Sequence, residues 1–143
     1  MNVAHILSHK GRDVVTVRPD HTLLEVAKIM SGKGISAVVV LNRDEEVSGI
    51  LSERDIMRTI ASAGPHALED RVSSHMTRDV VTCGDATTIQ DLMERMTAGR
   101  FRHMPVVVDG KLAGMISIGD LVKNRLAEVE GEQEELKKYI ASA

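Results

Sequence analysis

The chain has 143 residues, 43% of them hydrophobic, and a formal net charge of −3. That is the make-up of an ordinary soluble globular protein of about one domain's size, and the slightly acidic balance excludes a general nucleic-acid or membrane-surface binder. One Phe, one Tyr and no Trp leave nothing for the stacking platforms that grip single-stranded nucleic acid.

The chain opens on Val3–Leu7, an apolar run too short for a membrane span or signal peptide and followed by charge. His5 and His9 fall four apart on a possible helix turn, a metal-like spacing. With no third ligand nearby and no His-Glu-x-x-His, no zinc site is expected there. Val14–Val17 is a short β-branched strand. Thr22-Leu23-Leu24-Glu25 then carries the signature of a capped helix, with Leu23, Val26, Ala27 and Met30 on one face. Gly32 and Gly34 end that helix. The string Gly32-x-Gly34-x-x-Ala37 mimics a dinucleotide fingerprint, but it closes a helix and precedes a strand, the reverse of what that motif needs. Ser36–Leu41 reads as a strand with both faces covered, Asn42–Glu46 as a turn, Val47–Leu51 as a second strand, and Ser52–Ala63 as a helix. Ala63-Gly64-Pro65-His66 is the natural linker.

The second half then repeats the first. Asp13-Val14-Val15-Thr16 returns as Asp79-Val80-Val81-Thr82, and Thr22, Met30 and Val40 return as Thr88, Met96 and Val106. One residue drops out, after which Gly49-Ile50-Leu51-Ser52-Glu53-Arg54-Asp55 pairs with Gly114-Met115-Ile116-Ser117-Ile118-Gly119-Asp120. The second copy thus predicts a strand over Val80–Cys83, a helix capped by Thr88, a strand over His103–Val108, a hairpin turn at Asp109-Gly110, a strand over Leu112–Ser117 and a helix from Ser117. The lone Cys83 excludes an internal disulfide, fits a reducing compartment, and in a strand reads as a small buried hydrophobe. The eight methionines fall mostly on element faces as core fillers. Two modules of about sixty residues, each too small for a good core alone, should pack around a pseudo-twofold axis and leave two related clefts. The order βαββα makes the class α/β (α+β) with mixed sheets. The expected organisation is residues 1–63 as first module, 64–71 as linker, 72–128 as second module and 129–143 as a C-terminal helical tail.

Ser52-x-x-Asp55 and Ser117-x-x-Asp120 mark the strand-to-helix step in both copies. They read equally as plain helix caps, with Ser at N-cap and an acid at N3. Yet the Thr22 and Thr88 caps vary between Glu25 and Asp91, whereas the strand-to-helix site keeps Asp both times. A short carboxylate facing a cleft suits two vicinal hydroxyls such as those of a ribose, and the helix start beside it suits a phosphate. No Ser/His/Asp or Cys/His set is locally organised for catalysis, so an enzyme is not expected.

The repeat, the ISAVVV and RHMPVVV strands and the Gly-x-x-Ser-x-x-Asp endings resemble the cystathionine-β-synthase (CBS) domain family, and two tandem copies resemble a Bateman module, from about Val3 to Glu128. The resemblance implies a sensor of AMP, ADP, ATP, NAD or S-adenosylmethionine bound in clefts between modules, with no metal. It implies that Asp55 and Asp120 hold the ribose hydroxyls and that Ser52 and Ser117 approach the phosphate. Adenine would lie near Val15-Thr16 with Ser36-Ala37, and near Val81-Thr82 with Arg102-His103. Arg54 and Arg58 flank Asp55, where Arg54 is either a phosphate grip or a solvated helix arginine. Arg100, Arg102 and His103 add positive charge to the second module, His103 being either a ligand contact or a strand-edge polar residue.

Along the last helix, Val122, Leu126, Val129, Gln133, Leu136 and Ile140 alternate at four and three residues, an a/d-like seam interrupted by Gly131 and Gln133. It serves either to dock on another chain or to lie across its own domain. A homodimer is the implied assembly, in the cytoplasm, acting on a separate regulated protein, with neither membrane nor nucleic acid as partner. The alternative is a dimeric interaction scaffold with vestigial ligand sites.

Overall fold

The computed structural model describes residues 1–142; Ala143, the end of the expected tail, lies outside the described residues. The elements run α1 (Val3–Lys10), β1 (Thr16–Val17), α2 (Leu23–Lys33), β2 (Ala37–Leu41), β3 (Val47–Ser52), α3 (Glu53–Ala63), α4 (Ile89–Gly99), β4 (His103–Val108), β5 (Lys111–Ser117) and α5 (Ile118–Ser142). Two short 3-10 turns, Pro65–Glu69 and Val72–Ser74, occupy the stretch expected as a linker and just beyond it.

In the first copy β2 pairs in parallel with β1 and antiparallel with β3, giving a three-stranded mixed sheet. All five β2 residues are buried, as a continuous apolar strand requires. Val38 and Val40 join Leu23, Val26, Met30 and Leu51 in one core. Thr22 and Thr88 cap α2 and α4 by accepting from the backbone N–H of Glu25 (3.1 Å) and Asp91 (3.2 Å).

The second copy departs from the expected pattern. Only β4 and β5 form a ladder, and Val80–Cys83 is reduced to a single parallel bridge between Cys83 and Val106. The cause is Pro105, which stands where the first copy has Val39. Val39 N–H donates to Val15 O at 3.3 Å, but proline has no N–H to offer the matching carbonyl. Two other bonds survive, Cys83 N–H to Pro105 O (3.0 Å) and Val107 N–H to Cys83 O (2.8 Å).

The lead-in segments of the two copies are exchanged. Helix α1 precedes the first sheet, yet its Val3, Ile6 and Leu7 are buried with Leu92, Met96, Met104, Ile116 and Leu121 of the second copy. Val3 and Ala4 N–H groups fasten it to Thr87 O and Asp85 O, both at 3.0 Å. Reciprocally, Val72 and Met76, which precede the second copy, complete the first copy's core. The two halves are therefore tied together by side chains each lends to the other.

Candidate functional site

Each copy ends its hairpin in a Ser whose side chain begins the next helix. In the first, Ser52 N–H donates to Asp55 Oδ2 (2.9 Å), Ser52 Oγ–H donates to the same oxygen (3.0 Å), and Asp55 N–H donates back to Ser52 Oγ (3.2 Å). In the second, Ser117 N–H donates to Asp120 Oδ2 (2.8 Å) and Asp120 N–H to Ser117 Oγ (3.2 Å). Both aspartates are thus true caps. Capping occupies Oδ2 in each case and leaves Oδ1 outside the cap, that of Asp55 lying 3.6 Å from the exposed Arg58 guanidinium, so the cap and a hydroxyl-binding role are compatible.

Two clefts flank these caps, and each is built crosswise from both copies. The first, about 560 Å³, places Asp13, Val14 and Val15 with Gly34, Ile35, Ser36 and Ala37 of the first copy against Met115 and Ser117 of the second. The second, about 500 Å³, places Ser52, Arg54, Asp55 and Arg58 of the first copy against Thr77, Val80, Val81, Arg100 and Phe101 of the second. Both volumes suit a nucleoside-sized ligand. The same backbone bond frames each: Glu53 N–H to Ser36 O at 2.9 Å and Ile118 N–H to Arg102 O at 2.8 Å.

Of the residues singled out in the sequence, Val15, Ser36, Ala37 and Ser117 line the first cleft, Ser52, Arg54, Asp55, Arg58 and Val81 line the second, and His103 lines both. Thr16, Thr82 and Arg102 stand outside both linings: Thr16 belongs to β1, Thr82 O accepts from the Arg95 guanidinium at 3.2 Å, and Arg102 is exposed. Asp120 lies one side chain away from the first cleft. Lys10 Nζ donates to Asp120 Oδ2 at 2.6 Å and to Met115 O at 2.8 Å; Lys10 lines the first cleft, whereas Asp120 lines, with Lys10, His5 and His9, a neighbouring cavity of about 580 Å³. By contrast, the one ion-pair partner of Asp55 among the described residues is the exposed Arg58, 3.6 Å from its Oδ1.

Burial pushes the Asp120 carboxyl up, but the bonds from Lys10 and Ser117 outweigh it and hold its pKa below the usual value. Burial, followed by the charge of Lys10, pulls His103 down, against the opposing pull of Asp120 and Glu53. His103 is therefore a neutral imidazole at neutral pH, with Nε2 3.1 Å from Ser36 Oγ across the boundary between copies. Cys83 is buried and its thiol is pushed up to about 11, as expected of a packing residue rather than a nucleophile.

Five charged lining residues were not among those singled out for ligand contact, one of them Arg100, which the sequence marked only as added charge on the second module. Asp13 and Asp79 line the first and second clefts, and their signal was present in the repeated Asp-Val-Val-Thr. Glu53 sits in the Ser-x-x-Asp motif itself. Lys10 had no such signal, because only the exchange of α1 brings it there. His5 and His9 meet edge to face with ring centroids 5.1 Å apart, and among the described residues no group of three or more His, Cys, Asp or Glu forms around them. Among the described residues no helix is long and apolar enough to cross a membrane.

Comparison with known proteins places these features in a family. The CBS domain model matches residues 3–62 and 72–127. A crystal structure of a CBS-domain containing protein from Agrobacterium tumefaciens is 49% identical, with a TM-score of 0.85 over 87% of this chain and 99% of that one. The mitochondrial CBS domain-containing protein CBSX3 of Arabidopsis thaliana is 30% identical over 96% of this chain and 71% of its own length. The chain spans about two thirds of the length of the curated relatives it matches first. The CBS domain pair of protein MJ0100, crystallised with 5′-methylthioadenosine and S-adenosyl-L-methionine, shares the fold at 20% identity, with a TM-score of 0.80 over 90% of this chain and 98% of that one.

Proposed function

Because the chain belongs to the CBS domain family, we propose that it is a regulatory, non-catalytic protein that binds an adenosyl ligand (AMP, ADP, ATP, NAD or S-adenosylmethionine) in the clefts between its two modules. The observation that carries this reading is the crosswise construction of both clefts. The second sets the helix-capping Asp55 against Val80 and Val81 of the opposite copy, and the first sets Ser117, which caps the start of α5, against Asp13, Val14 and Val15. The Oδ1 of Asp55, outside the cap and 3.6 Å from the exposed Arg58, suits a ribose diol, the first N–H groups of α3 suit a phosphate, and the apolar Val15 and Val81 suit the face of an adenine. The ligands crystallised with the MJ0100 pair support the same chemistry on this fold.

Since each cleft draws on both copies, a ligand that fits one relative arrangement better than another shifts the equilibrium between them by its difference in affinity. A homodimer in the cytoplasm, signalling to a separate protein, is the assembly this reading implies. Val122, Leu126, Leu136 and Ile140 along α5 are all more than half exposed, as a surface awaiting another chain would be. The same exposure, with Lys10 already bonded to Asp120, favours the second reading, an interaction scaffold whose ligand sites are vestigial.

Calorimetric titration of the protein with AMP, ATP, NAD and S-adenosylmethionine separates the two. Saturable binding that the Asp55→Ala/Asp120→Ala double variant loses is the expected result. No binding by folded protein leaves the scaffold.

A further inference from the structure

The two clefts are related by the repeat, but their charges are not. The second is faced by three guanidiniums, Arg54, Arg58 and Arg100, against the carboxylates of Asp55 and Asp79. The first is faced by Asp13 and Glu53, with Asp120 directly behind Lys10. Lys10 is its one lining cation among the described residues, and that ammonium is already engaged by Asp120 and Met115 O. At Arg54 the second copy has Gly119, so the grip that α3 holds out at its first turn is missing from α5. Helix α3 itself divides the labour: Glu53 lines the first cleft and its neighbour Arg54 the second.

We propose that the clefts sort adenosyl ligands by charge. The second takes a phosphorylated adenosine nucleotide, and the first takes an adenosyl compound without phosphate, neutral or cationic. This rests on the reading of both clefts as adenosyl sites and adds the ligand class of each. The physical basis is direct. A triphosphate in the second cleft meets guanidiniums that bind phosphate oxygens in pairs. In the first it meets the exposed carboxylates of Asp13 and Glu53, while Lys10 is committed to Asp120, so a polyanion is repelled there and gains no cationic partner. The neutral His103 on the wall between the clefts supplies no compensating charge. Lys10 neutralises Asp120 without turning the cleft positive, and a ribose diol that reaches Asp120 must displace or share that ammonium.

The test is calorimetry on the full chain with ATP and with 5′-methylthioadenosine. Asp55→Ala leaves the first cleft intact and Asp120→Ala the second, with circular dichroism to check that each variant is folded. The ratio of ATP to methylthioadenosine affinity is expected to be at least about tenfold higher in Asp120→Ala than in Asp55→Ala. Two variants that leave both caps in place test the charges themselves. Arg54→Gln should weaken ATP by about tenfold and methylthioadenosine by much less, and Glu53→Gln should strengthen ATP at the first cleft. Equal or inverted ratios, or an ATP affinity untouched by both Gln substitutions, overturn the sorting while leaving two adenosyl sites. If the folded wild type binds neither compound, the sorting and the ligand reading fall together.

Discussion

At the scale of single residues, the repeated glycines are fixed by close approach, joined at Gly114 by a φ of 158° that a residue with a side chain rarely adopts. A Cβ on Gly49 would stand 2.4 Å from Met76 Sδ, and one on Gly114 would stand 2.9 Å from Leu7 Cδ1. In both copies the strand yields its side chain so that the exchanged lead-in segment can press against it. The serine and aspartate three and six residues on then cap the next helix, which explains why the three travel together. His103 offers a measurable consequence of burial. A histidine whose folded pKa lies below its unfolded value gives stability that is complete above about pH 6.5 and is lost as pH falls below it, because the unfolded chain takes up the proton more readily. Lys10 and Arg102 add to the depression, while Asp120 and Glu53 oppose it and Ser36 holds the ring. Melting temperature should therefore decline as pH falls below about 6.5. His103→Gln should flatten that part of the profile; an unchanged slope would assign it to other groups.

At the scale of elements, α1 is the part whose place could not be guessed from its position in the chain. Its three apolar residues look like a small cap on whatever follows, yet they finish the second core. Leu7→Ala removes a buried side chain that also seats Gly114, and should destabilise the protein by about 2–5 kcal/mol. Hydrogen exchange should show the loss first in β4, β5 and α4, not in the neighbouring β1. A uniform loss over both copies would mean that they unfold as one unit. The hairpins, the capped helices α2 and α4 and the continuous strand β2 were all legible, because periodicity and caps are local properties. The strand expected at Val80–Cys83 does not form, and the signal against it lay in Pro105, since a strand residue without an N–H cannot complete a ladder.

At the scale of the whole molecule, α5 decides how the protein meets others. The helix runs unbroken through Gly131, so the glycine does not end it, and every residue from 131 to 142 is exposed. Of the two roles open to the seam, lying across its own domain is not what the structure displays, since Leu136, Tyr139 and Ile140 are 58%, 73% and 65% exposed. Truncation after Ala127 removes this projecting part but keeps Leu121, which the second core needs. If the seam holds two copies together, light scattering should report a dimer for the full chain and a monomer, or a dimer weakened at least tenfold, for the truncated one. An equally tight dimer in both would move the interface elsewhere, to the part of α5 before residue 128 or to α3, where Met57 is 70% exposed.

The sequence by itself determined the duplication, the capped helices and hairpins, the two Ser-x-x-Asp steps and the family, since each is written in local spacing or in the match of one half to the other. Only the tertiary structure decided which half serves which cleft, that Asp120 is engaged by Lys10 while Asp55 stays open, and that Glu53 and Arg54 part company into different clefts. The physical reason is the exchange of lead-in segments. It brings together residues far apart in the chain, such as Lys10 and Asp120, and no periodicity or motif encodes a contact between two segments that are strangers in sequence.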